Sequence, residues 1–493
     1  MLFTSIDYLI FFPLVLLFYF LIPKRFRYIW LLVVSYYFYM CWNAPYALLM
    51  LTSTLTTFAS GLLIEKCQKM ERPGLAKLCV ALSFLINLCI LFFFKYANFF
   101  IESLNAVLST LSMNGQAGYI NVLLPVGISF YTFQALSYTM DVYRKDVPAE
   151  RNVFYYALFV SFFPQLVAGP IERTGTLLPQ LKKPQDFNVQ NARRGLLLIA
   201  WGLFIKLALA DNLAPIVTMV YANYADYTGL EIALATFAFS FQIYGDFAGY
   251  SYIAIGSAAV LGIRLMENFR APYLGVSVAD FWRRWHISLT TWFKDCLYIP
   301  LGGNRKGTAR KHMNILIVFL VSGFWHGANW TFVVWGLLNG LLLVLGEITT
   351  GLRQRTRAGL RVNTEAASYT FYRRLMTFLL INLTWIFFRA DTLTSAWQML
   401  LRVFTDFQLP KLFSPALFDL FFDAQSAILV LGFVLLLMLV DAAKNRGTSV
   451  DGWVLSQGAA LRWGIYLGLM FTIILFGAYG NTSTQTQFIY FQF

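Results

Sequence analysis

Charge is what this chain has least of. Asp, Glu, Lys and Arg together make up 13% of its 493 residues, against 58% hydrophobic residues. One soluble core cannot hide that much apolar surface, so the composition predicts an all-α polytopic membrane protein whose backbone polar groups are satisfied within helices. Cysteine is also scarce. Cys41, Cys67, Cys79, Cys89 and Cys296 show no paired spacing, which argues against a disulfide or CxxC framework and reads as small buried hydrophobes. Only three histidines occur, too few for a multi-histidine metal site, and neither a metal nor a tightly bound cofactor is expected. The nucleophile elbow, the P-loop and HExxH are all missing, which removes the activities that depend on them.

The net charge of +14 does not point to nucleic acid, because the bases gather in a few short loops, the positive-inside pattern of a protein whose partner is the bilayer. The first apolar run is not expected to be a cleavable signal, since Asp7 is its only early charge and Lys24, Arg25 and Arg27 follow it. Apolar runs then thread the chain. Tyr8–Ile22 goes in, and Tyr28–Ile64 forms a hairpin turning at Asn43-Ala44-Pro45. Leu78–Phe94 goes out, Leu104–Asn121 is an uncharged external loop, and Leu123–Met140 returns. Asn152–Ile171 contains Pro164 and Gly169-Pro170 and is expected to be re-entrant. The basic stretches Asp280–Asn314 and Arg353–Arg374 belong on the cytoplasmic face, and both termini outside. Residues 1–480 are expected to form a single membrane domain, with residues 481–493 as an external tail.

The run Met313–Gly346 holds 34 residues without an acid, Lys or Arg, but it does hold His326. As one helix it would be about 51 Å long, against a hydrocarbon core of about 30 Å. Two helical pieces are therefore predicted, broken near Ser322-Gly323 and Gly327-Ala328-Asn329, with His326 at the break. An ionisable group at membrane depth reads first as a functional site, and an imidazole suits general-base work. The block Asp280–Leu289 brings together Trp282, Arg283, Arg284 and His286, either as an interfacial aromatic belt or as a site. The glycine-rich turn before Arg305, Lys306, Arg310 and Lys311 either binds phosphates or simply marks the cytoplasmic face. Asp246, another intramembrane charge, either orients a histidine or pairs with an arginine.

The segments DFWRRWHISLTTWFKDCLYIPLGGNRKG (280–307), FWHGANW (324–330), FFPQLVAGPIER (162–173) and QIYGDFAGYSYIAIG (242–256) resemble the membrane-bound O-acyltransferase (MBOAT) family. The likeness is to its bacterial polysaccharide O-acetylation branch, related to the D-alanyl lipoteichoic acid transferases. One departure is Tyr252, where relatives commonly carry an acid. The resemblance implies a helical funnel of roughly 11–14 membrane helices, re-entrant segments included, around a tunnel joining the two faces. It makes His326 the family's near-invariant histidine and His286 its second, more variable polar position, while His312 matches no motif.

The resemblance further implies an O-acetyltransferase in the cytoplasmic membrane that takes acetyl from acetyl-CoA for an extracytoplasmic polysaccharide such as alginate, peptidoglycan or cellulose. Trp282, Arg283, Arg284, Arg305, Lys306, Asp246 and Asn329 would hold the donor or shape the site, and a separate serine-esterase-like protein outside would complete transfer. The tail Phe488-Ile-Tyr-Phe-Gln-Phe493 has the form FxYxxF, resembling the partner peptide of the D-alanyl branch, which makes Tyr490 a candidate acyl carrier. A D-alanyl transferase using a carrier-protein thioester and a proton-coupled transporter are the competing readings.

Overall fold

The computed structural model describes residues 1–113, 116–414, 420 and 423–479. Helices dominate, and no strand occurs among the described residues. In chain order they are α1 Ile6–Leu21, α2 Arg27–Met40, α3 Ala47–Lys69, α4 Pro73–Lys95, α5 Ala97–Thr110, α6 Ile128–Tyr143, α7 Val153–Ser161, α8 Phe163–Leu166, α9 Thr174–Lys182, α10 Val189–Leu203, α11 Asp211–Ala222 and α12 Gly229–Val260. There follow α13 Val278–Arg284, α14 Ile287–Phe293, α15 Thr308–His326, α16 Trp330–Ile348, α17 Thr350–Gly359, α18 Ala367–Arg389, α19 Leu393–Thr405, α20 Ala424–Asn445, α21 Val450–Ser456 and α22 Ala459–Phe476. Among the described residues, six helical stretches are long and apolar enough to cross a membrane: Ala44–Lys69, Pro73–Lys95, Val189–Ala222, Trp330–Ile348, Ala424–Asn445 and Ala459–Phe476. The chain is a multi-pass membrane protein.

Two compact units divide the chain: residues 1–199 with 253–266, and residues 200–252 with 267–493. In the first, α3 packs against α4, α6 and α7. Apolar contact alone discriminates poorly between helices in lipid, so buried hydroxyls and amides bind them together. Ser53 donates to Asn87 at 2.5 Å, Ser83 and Thr139 meet at 3.2 Å, and the Tyr156 hydroxyl donates to Thr57 at 2.7 Å. The expected hairpin turn at residues 43–45 lies between α2 and α3, and the expected re-entrant segment is broken after Ser161 and again after Leu166. The expected external loop Leu104–Asn121 is helical as far as Thr110. Asn98 and Asn105, two turns apart on α5, each exchange two hydrogen bonds with the backbone of Ile120 and Ala117, strapping the following segment along the helix.

In the second unit α15 and α16 form a tight antiparallel hairpin, with α16 also against α18. The predicted break in Met313–Gly346 is present at residues 327–329 but not at Ser322-Gly323, which continue α15. Gly323 is there for close approach: a Cβ on it would collide with the Phe332 carbonyl, and one on Gly336 with the Phe319 carbonyl. Gly323→Leu is therefore expected to force the two helices apart at a cost of about 1–3 kcal/mol, read as a lower thermal midpoint in detergent. An unchanged midpoint would contradict the packing argument.

Candidate functional site

His326 is the last residue of α15, where the chain turns extended at Gly327 before Asn329 caps α16. The Asn329 carbonyl oxygen of the side chain accepts from the Thr331 amide at 3.0 Å, and its amide donates to the Asp391 carbonyl at 2.9 Å. This residue, expected near substrate, thus holds the break that ends at His326.

The His326 ring is buried among aromatic side chains, with centroids 5.0 Å from Trp335, 5.0 Å from Trp325 and 5.5 Å from Phe388. Trp335 in turn stacks on Trp385 at 5.7 Å and 15°, and Trp282 meets Trp335 edge-on at 5.7 Å. Trp282 is buried in this wall, so of the two readings of the tryptophans the interfacial belt does not describe it.

His286 sits at the junction of α13 and α14 with φ +43° and ψ +55°. Its ring lies 4.6 Å from Phe247, 6.0 Å from Trp325 and 6.5 Å from His326, centroid to centroid. The structure therefore brings together two histidines separated by 40 positions in sequence, both almost fully buried. A pair of buried imidazoles surrounded by aromatic rings can accept, hold and return a proton.

The charged candidates fall elsewhere. Arg283 points into solvent beside Asp280 at 3.4 Å. Arg284 donates to Asp280 at 3.1 Å and to the Asn445 side chain at 2.7 Å, which ties α13 to α20. Burial pushes the Asp280 carboxyl up, but the Val276 amide and the Arg284 guanidinium outweigh it and leave the group below the usual carboxylate range. Arg305 and Lys306 are exposed on the turn that opens with Gly302 and Gly303, whose φ values of +107° and +54° favour glycine. The buried Asn314 donates to the Gly303 carbonyl at 3.0 Å and fixes this turn to α15. Along that helix, Gly307 to His326 is roughly 28 Å. The basic turn and the histidine thus occupy opposite ends of one rigid rod.

Asp246 is paired, and its partner is a lysine rather than an arginine. The Lys206 ammonium is 2.5 Å from Asp246 and 2.7 Å from Asp211, with Lys206 and Asp246 buried and Asp211 partly so. Lys206 lies on a π-helical stretch, Phe204–Ala210, inside the Val189–Ala222 span. The sequence reading passed over it, although a single lysine within the apolar run Gly195–Ala210 is a visible signal. Lys206→Met leaves two carboxylates facing each other in a buried site. It is expected to cost about 3–5 kcal/mol, with partial recovery in Lys206→Met/Asp246→Asn. Thermal denaturation in detergent measures both, and equal stability of wild type and Lys206→Met would refute the pairing as a structural element.

Among the described residues, no three His, Cys, Asp or Glu side chains gather in a metal-holding cluster. Tyr490, with Phe488 and Phe493, falls outside the described residues.

Comparison with known proteins bears on the whole arrangement. The model of the MBOAT, membrane-bound O-acyltransferase family, matches residues 17–388. The probable alginate O-acetylase AlgI of Pseudomonas putida is 36% identical over 507 residues, covering 100% of both chains. The protein of the same name from Azotobacter vinelandii is 38% identical, over 88% of this chain and 84% of its own length. The peptidoglycan O-acetyltransferase of Helicobacter pylori is 35% identical, over 77% of this chain and 73% of its own.

Proposed function

Because the chain belongs to the membrane-bound O-acyltransferase family and is an acyltransferase, we propose that it transfers acetyl from cytoplasmic acetyl-CoA across the membrane for O-acetylation of an extracytoplasmic cell-envelope polysaccharide. Family membership sets aside the proton-coupled transporter. The observation that carries the chemistry is the pair of buried histidines 6.5 Å apart in an aromatic chamber. His326 acts as general base. It takes the proton from an attacking hydroxyl as that oxygen adds to the thioester carbonyl. The carbon–sulfur bond breaks, and the departing thiolate receives the proton from the imidazolium. His286, across the chamber, orients the donor carbonyl.

Alginate and peptidoglycan, the polymers in the names of the similar proteins, define the acceptor class. The basic turn at Arg305 and Lys306 faces the cytoplasm and attracts the donor's phosphates, while the long pantetheine arm carries the thioester along α15 towards His326. Tyr490 is the first acceptor, and a separate extracytoplasmic serine-esterase-like protein completes delivery. Both chain ends lie outside, in a cytoplasmic membrane.

Incubating the purified protein with acetyl-CoA tests this directly: free thiol is released by wild type at a rate that depends on His326. Consumption of an alanyl carrier-protein thioester instead would replace acetylation with D-alanylation. Arg305→Ala/Lys306→Ala is expected to raise the acetyl-CoA concentration needed for half-maximal rate severalfold, with the difference shrinking as salt rises. A salt-independent or absent change would remove the turn from donor binding.

A further inference from the structure

The main chain at His286 occupies the left-handed region, which residues bearing a Cβ seldom adopt. Something must hold it there, and the structure supplies a clamp built on one buried asparagine. The Asn268 main-chain carbonyl accepts from the Ile287 amide at 2.9 Å. Its side-chain oxygen accepts from the Ser288 hydroxyl at 2.6 Å, and its side-chain amide donates to Ser251 at 3.2 Å. The two residues that follow His286 are thereby tied to α12. On the preceding side, the Arg270 amide donates to the Arg284 carbonyl at 2.9 Å. Residues 268 and 270 thus grip the turn on both flanks of the histidine.

Ser251 lies four positions, one helical turn, beyond Phe247, the ring against which the His286 imidazole packs at 4.6 Å. Anchor and contact surface therefore belong to the same face of the same helix. Asn268, Ser251, Ser288 and His286 are each 1–2% exposed, so water cannot replace a lost partner. The asparagine amide accepts and donates at once here; ionised aspartate lacks the donor and alanine lacks both.

We propose that Asn268 is a positioning residue for His286, its clamp to Ser288 and Ser251 holding the left-handed turn that keeps the His286 imidazole against Phe247 and 6.5 Å from that of His326. This rests on the acetyl transfer proposed above and adds a residue that does not itself touch the reacting atoms. Released, the turn relaxes towards ordinary φ, and the imidazole swings off Phe247.

The test is a double-mutant cycle on the full-length protein, reading thiol release from acetyl-CoA in membranes of cells that make the acceptor polymer, together with the thermal midpoint in detergent. Asn268→Ala is expected to lower kcat about tenfold to hundredfold with donor KM within about twofold. In the His286→Ala background the same change should cost less than about twofold more, because its effect already runs through the missing imidazole. Ser288→Ala, which removes one side-chain bond and leaves the backbone bonds intact, should show the same pattern more weakly, and it replaces Asn268→Ala in the cycle if that variant does not fold. Losses that multiply in the double mutant, or a kcat left unchanged by both substitutions, overturn the proposal. Wild-type turnover in His286→Ala would overturn the role of His286 itself, and the positioning role with it. No thiol release by wild type would instead refute the donor reading.

Discussion

Replacing His326 by alanine is expected to lower acetyl transfer by about 10²–10⁴-fold, the usual contribution of a positioned acid–base group, while the protein still inserts and purifies. The imidazole is held on three sides by Trp325, Trp335 and Phe388. Its loss empties space without uncovering a charge, so the structural penalty is that of a modest cavity. His326→Gln, closer in volume, separates the two effects: it should restore the thermal midpoint but not the rate. The O-acetyl content of the envelope polymer and thiol release from acetyl-CoA give independent readouts. Near-wild-type values in both would end the assignment of His326 as base. His286→Ala should be milder, and His312→Ala nearly silent. His312 stands at the opposite end of α15 from His326, with Glu347 3.7 Å away.

Tyr490→Phe is expected to abolish transfer to the outside. The substitution keeps the aromatic ring and removes only the oxygen that would attack the thioester. A phenol ionises near pH 10, so it needs a base at neutral pH, and the ester it forms is an activated acyl donor for the next transfer. The linker Asn481–Gln487 is uncharged and polar, and its seven residues extend to about 25 Å, enough to bring Tyr490 back from the membrane surface. Membranes given labelled acetyl-CoA should carry a base-labile acetyl group on the C-terminal peptide of wild type and none on His326→Ala. Full activity in Tyr490→Phe would reduce the tail to an aromatic anchor, with acetyl passing directly to a hydroxyl of the partner or glycan.

Legibility in the sequence followed charge. Where apolar runs were uninterrupted, as at Tyr28–Ile64, the two helices and the turn between them could be read directly, because the bilayer admits few alternatives. Where charges are buried in pairs the pattern misleads. Val189–Ala222 is one helical stretch long and apolar enough to cross a membrane, yet Lys206 and Asp211 interrupt its hydropathy and hid it from a search for uncharged runs. Glycine misled in the opposite direction. Gly323 looked like a helix break, whereas it permits close contact with α16, and only the partner helix distinguishes those two uses.

The sequence by itself determined the class of molecule and its family: scarcity of charge demands a helical membrane protein, and the histidine-bearing motifs are specific enough to identify the acyltransferase lineage. It also singled out His326, because an ionisable side chain is costly at membrane depth and rarely persists there without use, and His286 through the motif that carries the family resemblance. Only the tertiary structure decided which candidates share a site. It drew His286 and His326 into one aromatic chamber, assigned Arg284 to Asp280 and Asn445, made Asn329 a helix cap, and gave Asp246 to Lys206. Those pairings join residues 40 to 161 positions apart as well as near neighbours. A buried charge or amide takes whichever partner the helix packing brings within about 3 Å, and linear spacing carries no record of that choice.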